Sequence, residues 1–165
     1  VWDIRRTIAW VRERGGERIG LYGLSLGAYT AAMVAAMEPD LACIIAGIPA
    51  VDFPSLARAN EPWVLRRSGD ELATDWELIG AITHVVSPLA FHPRVPRDRR
   101  FIFAGTADRV APPLQARALW RHWEQPRIHW FAGGHVLGAM HPTARAFAAE
   151  ALRETLCDPT GPRGD

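Results

Sequence analysis

Apolar positions in the opening segment, VWDIRRTIAWVRERGG, recur at helical spacing: Ile4, Ile8 and Val11 share a face, arginines lie between them, and Gly15 and Gly16 stop the run. This pattern predicts an amphipathic helix packed on a sheet. ERIGLYG follows as a short apolar run of the kind expected for a strand buried on both faces. It leads without a linker into the alanine-rich helical pattern LSLGAYTAAMVAAME, which ends at Pro39. Three further apolar runs, LACIIAGIPAV, RRFIFAG and RIHWFAG, read as strands. The last two are separated by the helical segment PPLQARALWRHWE with its N-terminal prolines. Strands alternating with helices imply an α/β fold with a mostly parallel sheet flanked by helices.

Between the second and third of these strands, residues 53–99 form an excursion far longer than an ordinary connection. Such a length requires structure of its own. Ser68 and Glu71 form a capping-box pattern, and Leu72, Trp76 and Ile79 follow at one-face helical spacing, so at least one helix is expected there. SPLAFHPRVPRD then returns to the sheet as an extended loop. HPTARAFAAEALRETL closes the domain, residues 1–157, as a helix, and residues 158–165 read as a frayed tail. Trp63 and Trp76 are read as core packing of the excursion in preference to pocket lining.

Composition narrows the partners. The 165 residues are 48% hydrophobic and 22% charged, which suits one globular domain and excludes intrinsic disorder. The formal net charge is +1, and all 19 basic residues are arginines spread along the chain, so no footprint for nucleic acid or anionic lipid emerges. A small, roughly neutral molecule is the expected partner; no metal or organic cofactor is implied, and no pattern in the chain points to an oligomeric state. Cys43 and Cys157 have no thiol neighbours in the sequence and form no disulfide or metal signature. No run reaches the length of a membrane span, and a cytoplasmic location is expected.

The strongest chemical signal is Gly23-Leu24-Ser25-Leu26-Gly27, a G-x-S-x-G match placed between a strand and a helix, the context that motif requires. The turn forces the serine into a strained backbone conformation, and Gly23 and Gly27 are expected to supply the room for it. It would hold the Ser25 hydroxyl above the sheet at a helix N-terminus, with the Leu26 N–H as an oxyanion donor. A serine hydroxyl needs a base, and histidine has the suitable pKa. Of six histidines, His135 follows the strand IHWFAG directly at the sheet edge expected for Ser25. His141 is a minor alternative that Pro142 marks as a helix start, while His84, His92, His122 and His129 read as surface or packing histidines. A carboxylate must orient the base. Asp108, in AGTAD after the strand RRFIFAG, fits best. Asp52, after LACIIAGIPAV, is the rival, and either could instead be a helix cap or Asx-turn residue.

From the elbow GLSLG through AGTADRVAPP to FAGGH, the chain resembles the α/β-hydrolase family, whose order is serine, acid, histidine. The resemblance implies Ser25, Asp108 and His135 as a catalytic triad and residues 53–99 as a lid inserted between the family's sixth and seventh strands. It extends to dienelactone-hydrolase-like, prolyl-oligopeptidase-like and esterase branches without separating them. The family sheet has about eight strands, of which only the later four are legible, so the chain reads as the C-terminal portion of a longer protein. The loop that would bring a second oxyanion N–H is not assignable either. The resulting expectation is a serine hydrolase that cleaves carboxylic ester or related acyl bonds through an acyl-enzyme on Ser25. A serine peptidase or acyltransferase on the same triad, or a non-catalytic binding protein of this fold, are the alternatives.

Overall fold

A computed structural model describes residues 1–59, 76–138 and 140–157. In chain order these form α1 (Trp2–Glu13), β1 (Gly20–Leu24), α2 (Leu26–Ala35), β2 (Cys43–Gly47), α3 (Phe53–Ala59), α4 (Trp76–His84), β3 (Arg100–Gly105), α5 (Pro113–His122), β4 (Arg127–Phe131), α6 (His135–Gly138) and α7 (Pro142–Leu152). All four strands are parallel and lie in the order β1-β2-β3-β4. Every strand therefore ends at the same edge, which becomes the place where loop residues distant in sequence can meet.

The two central strands sort their side chains by the strand period of two. Ile44, Ala46, Ile102 and Ala104 face a core shared with Ile8 of α1, Val34 of α2, and Leu119 and Trp123 of the α5 segment. Cys43, Ile45, Phe101 and Phe103 face the opposite layer, closed by Ala144, Ala148 and Ala151 of α7. The alanines of α2, with Ala28, Ala31, Ala32 and Ala35 at most 2% exposed, let that helix lie close against the sheet. Burial on both faces, expected for β1, holds for β2 and β3 only. β1 and β4 are outer strands of the described sheet, and Tyr22 in β1 remains 41% exposed. α2 stops at Ala35, ahead of the expected Pro39, and its last carbonyl accepts hydrogen bonds from Arg94 N (2.7 Å) and Val95 N (3.4 Å). The return loop thus caps a helix of the core.

The excursion holds α3 and α4. The Ser68–Glu71 capping box, Leu72 and Trp63 lie outside the described residues, as do the Trp76 side chain and the 158–165 tail. The return segment, expected to be an extended loop, contains 3-10 turns at Pro88–Ala90 and Arg97–Arg99, and a π turn, Arg153–Cys157, prolongs α7. Both cysteines are free, with Cys43 buried and Cys157 exposed. No helix among the described residues is long and apolar enough to cross a membrane.

Two arginine sites fix peripheral parts to this core. Arg100, buried at the start of β3, donates from Nε to Val95 O (2.6 Å) and from Nη1 to Trp123 O (2.8 Å). Its ion pair with Glu124 reaches an exposed carboxylate and contributes little beside these buried bonds. Arg100→Met would leave both carbonyls without their donor. It should lower unfolding stability by about 3 kcal/mol in chemical denaturation, against under about 1 kcal/mol for Glu124→Ala. At the other site, Arg5 and Arg12, two turns apart on α1, clasp Glu38 just beyond α2 at 2.7 and 3.2 Å. Burial pushes the Glu38 carboxyl up, but the two guanidiniums outweigh it and hold the group below its ordinary 4.5. A depressed carboxyl stabilises the fold above its unfolded-state pKa, and that contribution is lost as pH falls through the lower folded-state value. Denaturation of wild type and Glu38→Gln as a function of pH should accordingly show a stability gap at neutral pH that closes in acid below about 4.5.

Candidate active site

β1 passes into α2 through a single residue. Ser25 takes φ 53° and ψ −115°, a conformation that costs a non-glycine residue of order 1–3 kcal/mol. Two observations explain why it holds. The Ser25 N–H donates to Gly47 O at the end of β2 (2.9 Å), and a Cβ built on Gly23 would lie 2.2 Å from Gly27 O, so only glycine admits the tight return of the helix. The expected need for glycine at position 27 is not met, because a Cβ there would touch nothing within 4 Å. Leu26 opens α2, and its N–H is engaged by no backbone carbonyl among the described residues.

β3 ends at Gly105 and β4 at Phe131, and their loops are bonded to each other through Thr106 N to Phe131 O (2.9 Å) and Ala107 N to Gly133 O (3.0 Å). This pairing brings the acid loop under the histidine loop. Asp108 is 4% exposed; its Oδ1 accepts from Val110 N and Ala111 N, both at 2.9 Å, and its Oδ2 lies 2.7 Å from His135 Nδ1. An ionised carboxylate can only accept, so Nδ1 carries the proton and Nε2 presents a lone pair. That nitrogen lies 2.9 Å from Ser25 Oγ. Asp108 is thus at once an Asx-turn residue and the partner of His135, two readings the sequence set against each other.

The other candidates lie elsewhere. Asp52 caps α3, its Oδ1 accepting from Ser55 N at 3.2 Å. His141 stands at the N-cap of α7 and is linked with His129 through the Thr143 hydroxyl. His92 stacks on His122, which binds Phe91 O. No cluster of three or more metal-ligating side chains occurs among the described residues.

Gln115 was not foreseen. It is 3% exposed on α5; its Oε1 accepts from Val51 N (2.9 Å) and Asp52 N (2.8 Å), and its Nε2 donates to Ser55 Oγ (2.6 Å) and Asp52 O (3.3 Å). One amide therefore ties the start of the excursion to the helix that follows the acid loop. The available signal was an amide one turn before Leu119 on the apolar face of α5. Ile48, a β-branched residue at φ 41°, likewise marks a forced turn after β2 that composition does not reveal.

Among solved structures, the fold matches acylaminoacyl peptidase of Pyrococcus horikoshii with TM-score 0.71 and 15% identity, over 96% of this chain and 28% of that one. The chain has the α/β-hydrolase fold. It matches an esterase of Pyrococcus furiosus at TM-score 0.66 (14% identity, 93% and 61% covered) and a puromycin hydrolase at 0.66 (20% identity, 94% and 25% covered). No family model matches the sequence. Among curated proteins it is 42% identical over 163 residues to the uncharacterized proteins Rv2627c and MT2702 of two Mycobacterium tuberculosis strains, covering 94% of this chain. It spans 37% of their length. What this α/β-hydrolase-fold chain shares with the solved structures is its arrangement of strands and helices.

The contrast between the two elbow glycines is testable. Gly23→Ala should destabilise by about 1–3 kcal/mol or displace the turn, whereas Gly27→Ala in the helix should be neutral to stabilising by up to about 1 kcal/mol. Thermal unfolding of the two variants distinguishes them.

Proposed function

We propose that this chain carries the catalytic machinery of a serine hydrolase acting on carboxylic esters or related acyl compounds. The observation that supports this reading is the unbroken hydrogen-bonded series from Ser25 Oγ to His135 Nε2 (2.9 Å) and from His135 Nδ1 to Asp108 Oδ2 (2.7 Å). Ser25 Oγ attacks the acyl carbon while its proton passes to His135 Nε2, and Asp108 steadies the imidazolium that forms. The Leu26 N–H, at the positive end of α2, donates to the oxyanion of the tetrahedral intermediate. Collapse expels the leaving group, which takes the proton from His135 and leaves an acyl-enzyme on Ser25. Water, deprotonated by His135, then releases the acid and restores the serine.

An amine leaving group would make the same site a peptidase, and an acceptor other than water an acyltransferase. The named hydrolases of similar fold include a peptidase and an esterase. The ester reading is preferred because an ester's leaving group departs more readily than an amine and so demands least of the serine, histidine and aspartate. With a p-nitrophenyl ester as substrate, Ser25→Ala and His135→Ala should each lower kcat by about a thousandfold or more, and Asp108→Asn by a comparable factor. Circular dichroism establishes that the variants are folded. Turnover in Ser25→Ala equal to wild type would remove the reading.

A further inference from the structure

Next to the proposed nucleophile lies a cavity of about 330 Å³ between α2, α4 and the segment after β2. None of the triad residues lines it, but Tyr29 on its wall stands one helical turn from Ser25, its N–H donating to Ser25 O at 3.1 Å, and Ala50, the neighbour of the lining residue Val51, donates to the same carbonyl at 3.5 Å. Most of its polar groups are committed. The Tyr29 hydroxyl donates to Val86 O, that of Thr83 to Ile79 O (2.7 Å), and Ser87 Oγ accepts from Leu89 N (3.2 Å). Asp52 is different. Its Oδ1 caps α3, while its second oxygen has no hydrogen-bond partner among the described residues. Gln115 holds the Asp52 backbone on both its N–H and its carbonyl, so the carboxylate stands on a fixed support. Beside it, the rings of Tyr29 and Phe53 pack with centroids 4.7 Å apart and complete an aromatic wall.

A carboxylate oxygen with spare acceptor capacity, set beside two aromatic rings in a concavity, matches an organic ammonium ion: the cation pairs with the carboxylate and lies against the electron-rich ring faces. A neutral apolar group would strip water from Asp52 without replacing it, and an anion would be repelled. Tyr29 and His84 are the other titratable side chains on the walls, and His84 offers a further hydrogen-bond partner. We propose that this cavity is a subsite for an ammonium group carried by the substrate, so that the acyl compounds cleaved at Ser25 are amine-bearing ones. The assignment of that ligand to a substrate rests on the serine hydrolase reading.

Phenethylammonium and the uncharged 2-phenylethanol, similar in size, serve as probes for binding followed by NMR, with fluorophosphonate labelling of Ser25 measured in parallel. The ammonium should bind about tenfold or more tightly than the alcohol, perturb Tyr29 and Phe53, and slow labelling when bound. Asp52→Asn retains a residue that caps helices equally well, so folding is preserved, and it should abolish the preference for the cation. Asp52→Ser, also a good cap, should do the same. Equal binding of the two probes to wild type would overturn the proposal, as would loss of both equally in Asp52→Asn, the result expected if Asp52 only caps α3. Normal Ser25 labelling with no preference discards the subsite and spares the hydrolase reading. A preference for the cation with Ser25 inert to the phosphonate discards the hydrolase reading and with it the substrate assignment.

Discussion

The arrangement at the sheet edge depends on Ser25 being held at a backbone conformation that an L-residue avoids. Here a strand that ends and a helix that starts one residue later are joined through that single residue, and the strain is sustained by the neighbouring strand, which takes the Ser25 N–H at Gly47 O. Gly23 is the local condition for this, since any side chain there would collide with the backbone of Gly27. The hydroxyl is thereby lifted off the sheet at the start of α2. Because all four strands are parallel, the loops after β3 and β4 reach the same edge and can present Asp108 and His135 to it.

Much of this was legible in the chain because the signals are local. Short apolar runs bounded by glycine and proline placed β1 to β4, helical spacing placed α1, α2, α5 and α7, and the serine's position between a strand and a helix singled out the elbow. The residues that meet at the edge could be named because a parallel sheet puts every strand's C-terminal end on one side. The choice between Asp108 and Asp52 was harder, as both follow apolar strands. What separates them is the pairing of Thr106 and Ala107 with the β4 loop, which places Asp108 beneath His135, while Asp52 is turned to the cap of α3.

Other features were hidden for physical reasons. Whether a strand is covered on both faces depends on its neighbours in the sheet, so the apolar run ERIGLYG gave no warning that Tyr22 stays half-exposed. The role of Gln115 is a tertiary one: its amide meets Val51, Asp52 and Ser55 only because α5 packs beside the end of β2. The same holds for Arg100, whose acceptors lie on the return loop and just past α5. These buried polar side chains hold the excursion's two ends against the core.

Whether Ser25 is an activated nucleophile is decided by reaction of the folded chain with a fluorophosphonate, followed by mass spectrometric location of the adduct. A single phosphonyl adduct is expected on Ser25, and it should be lost when His135 is replaced by glutamine. A folded protein that forms no adduct, or one modified at another residue with Ser25 untouched, would contradict it.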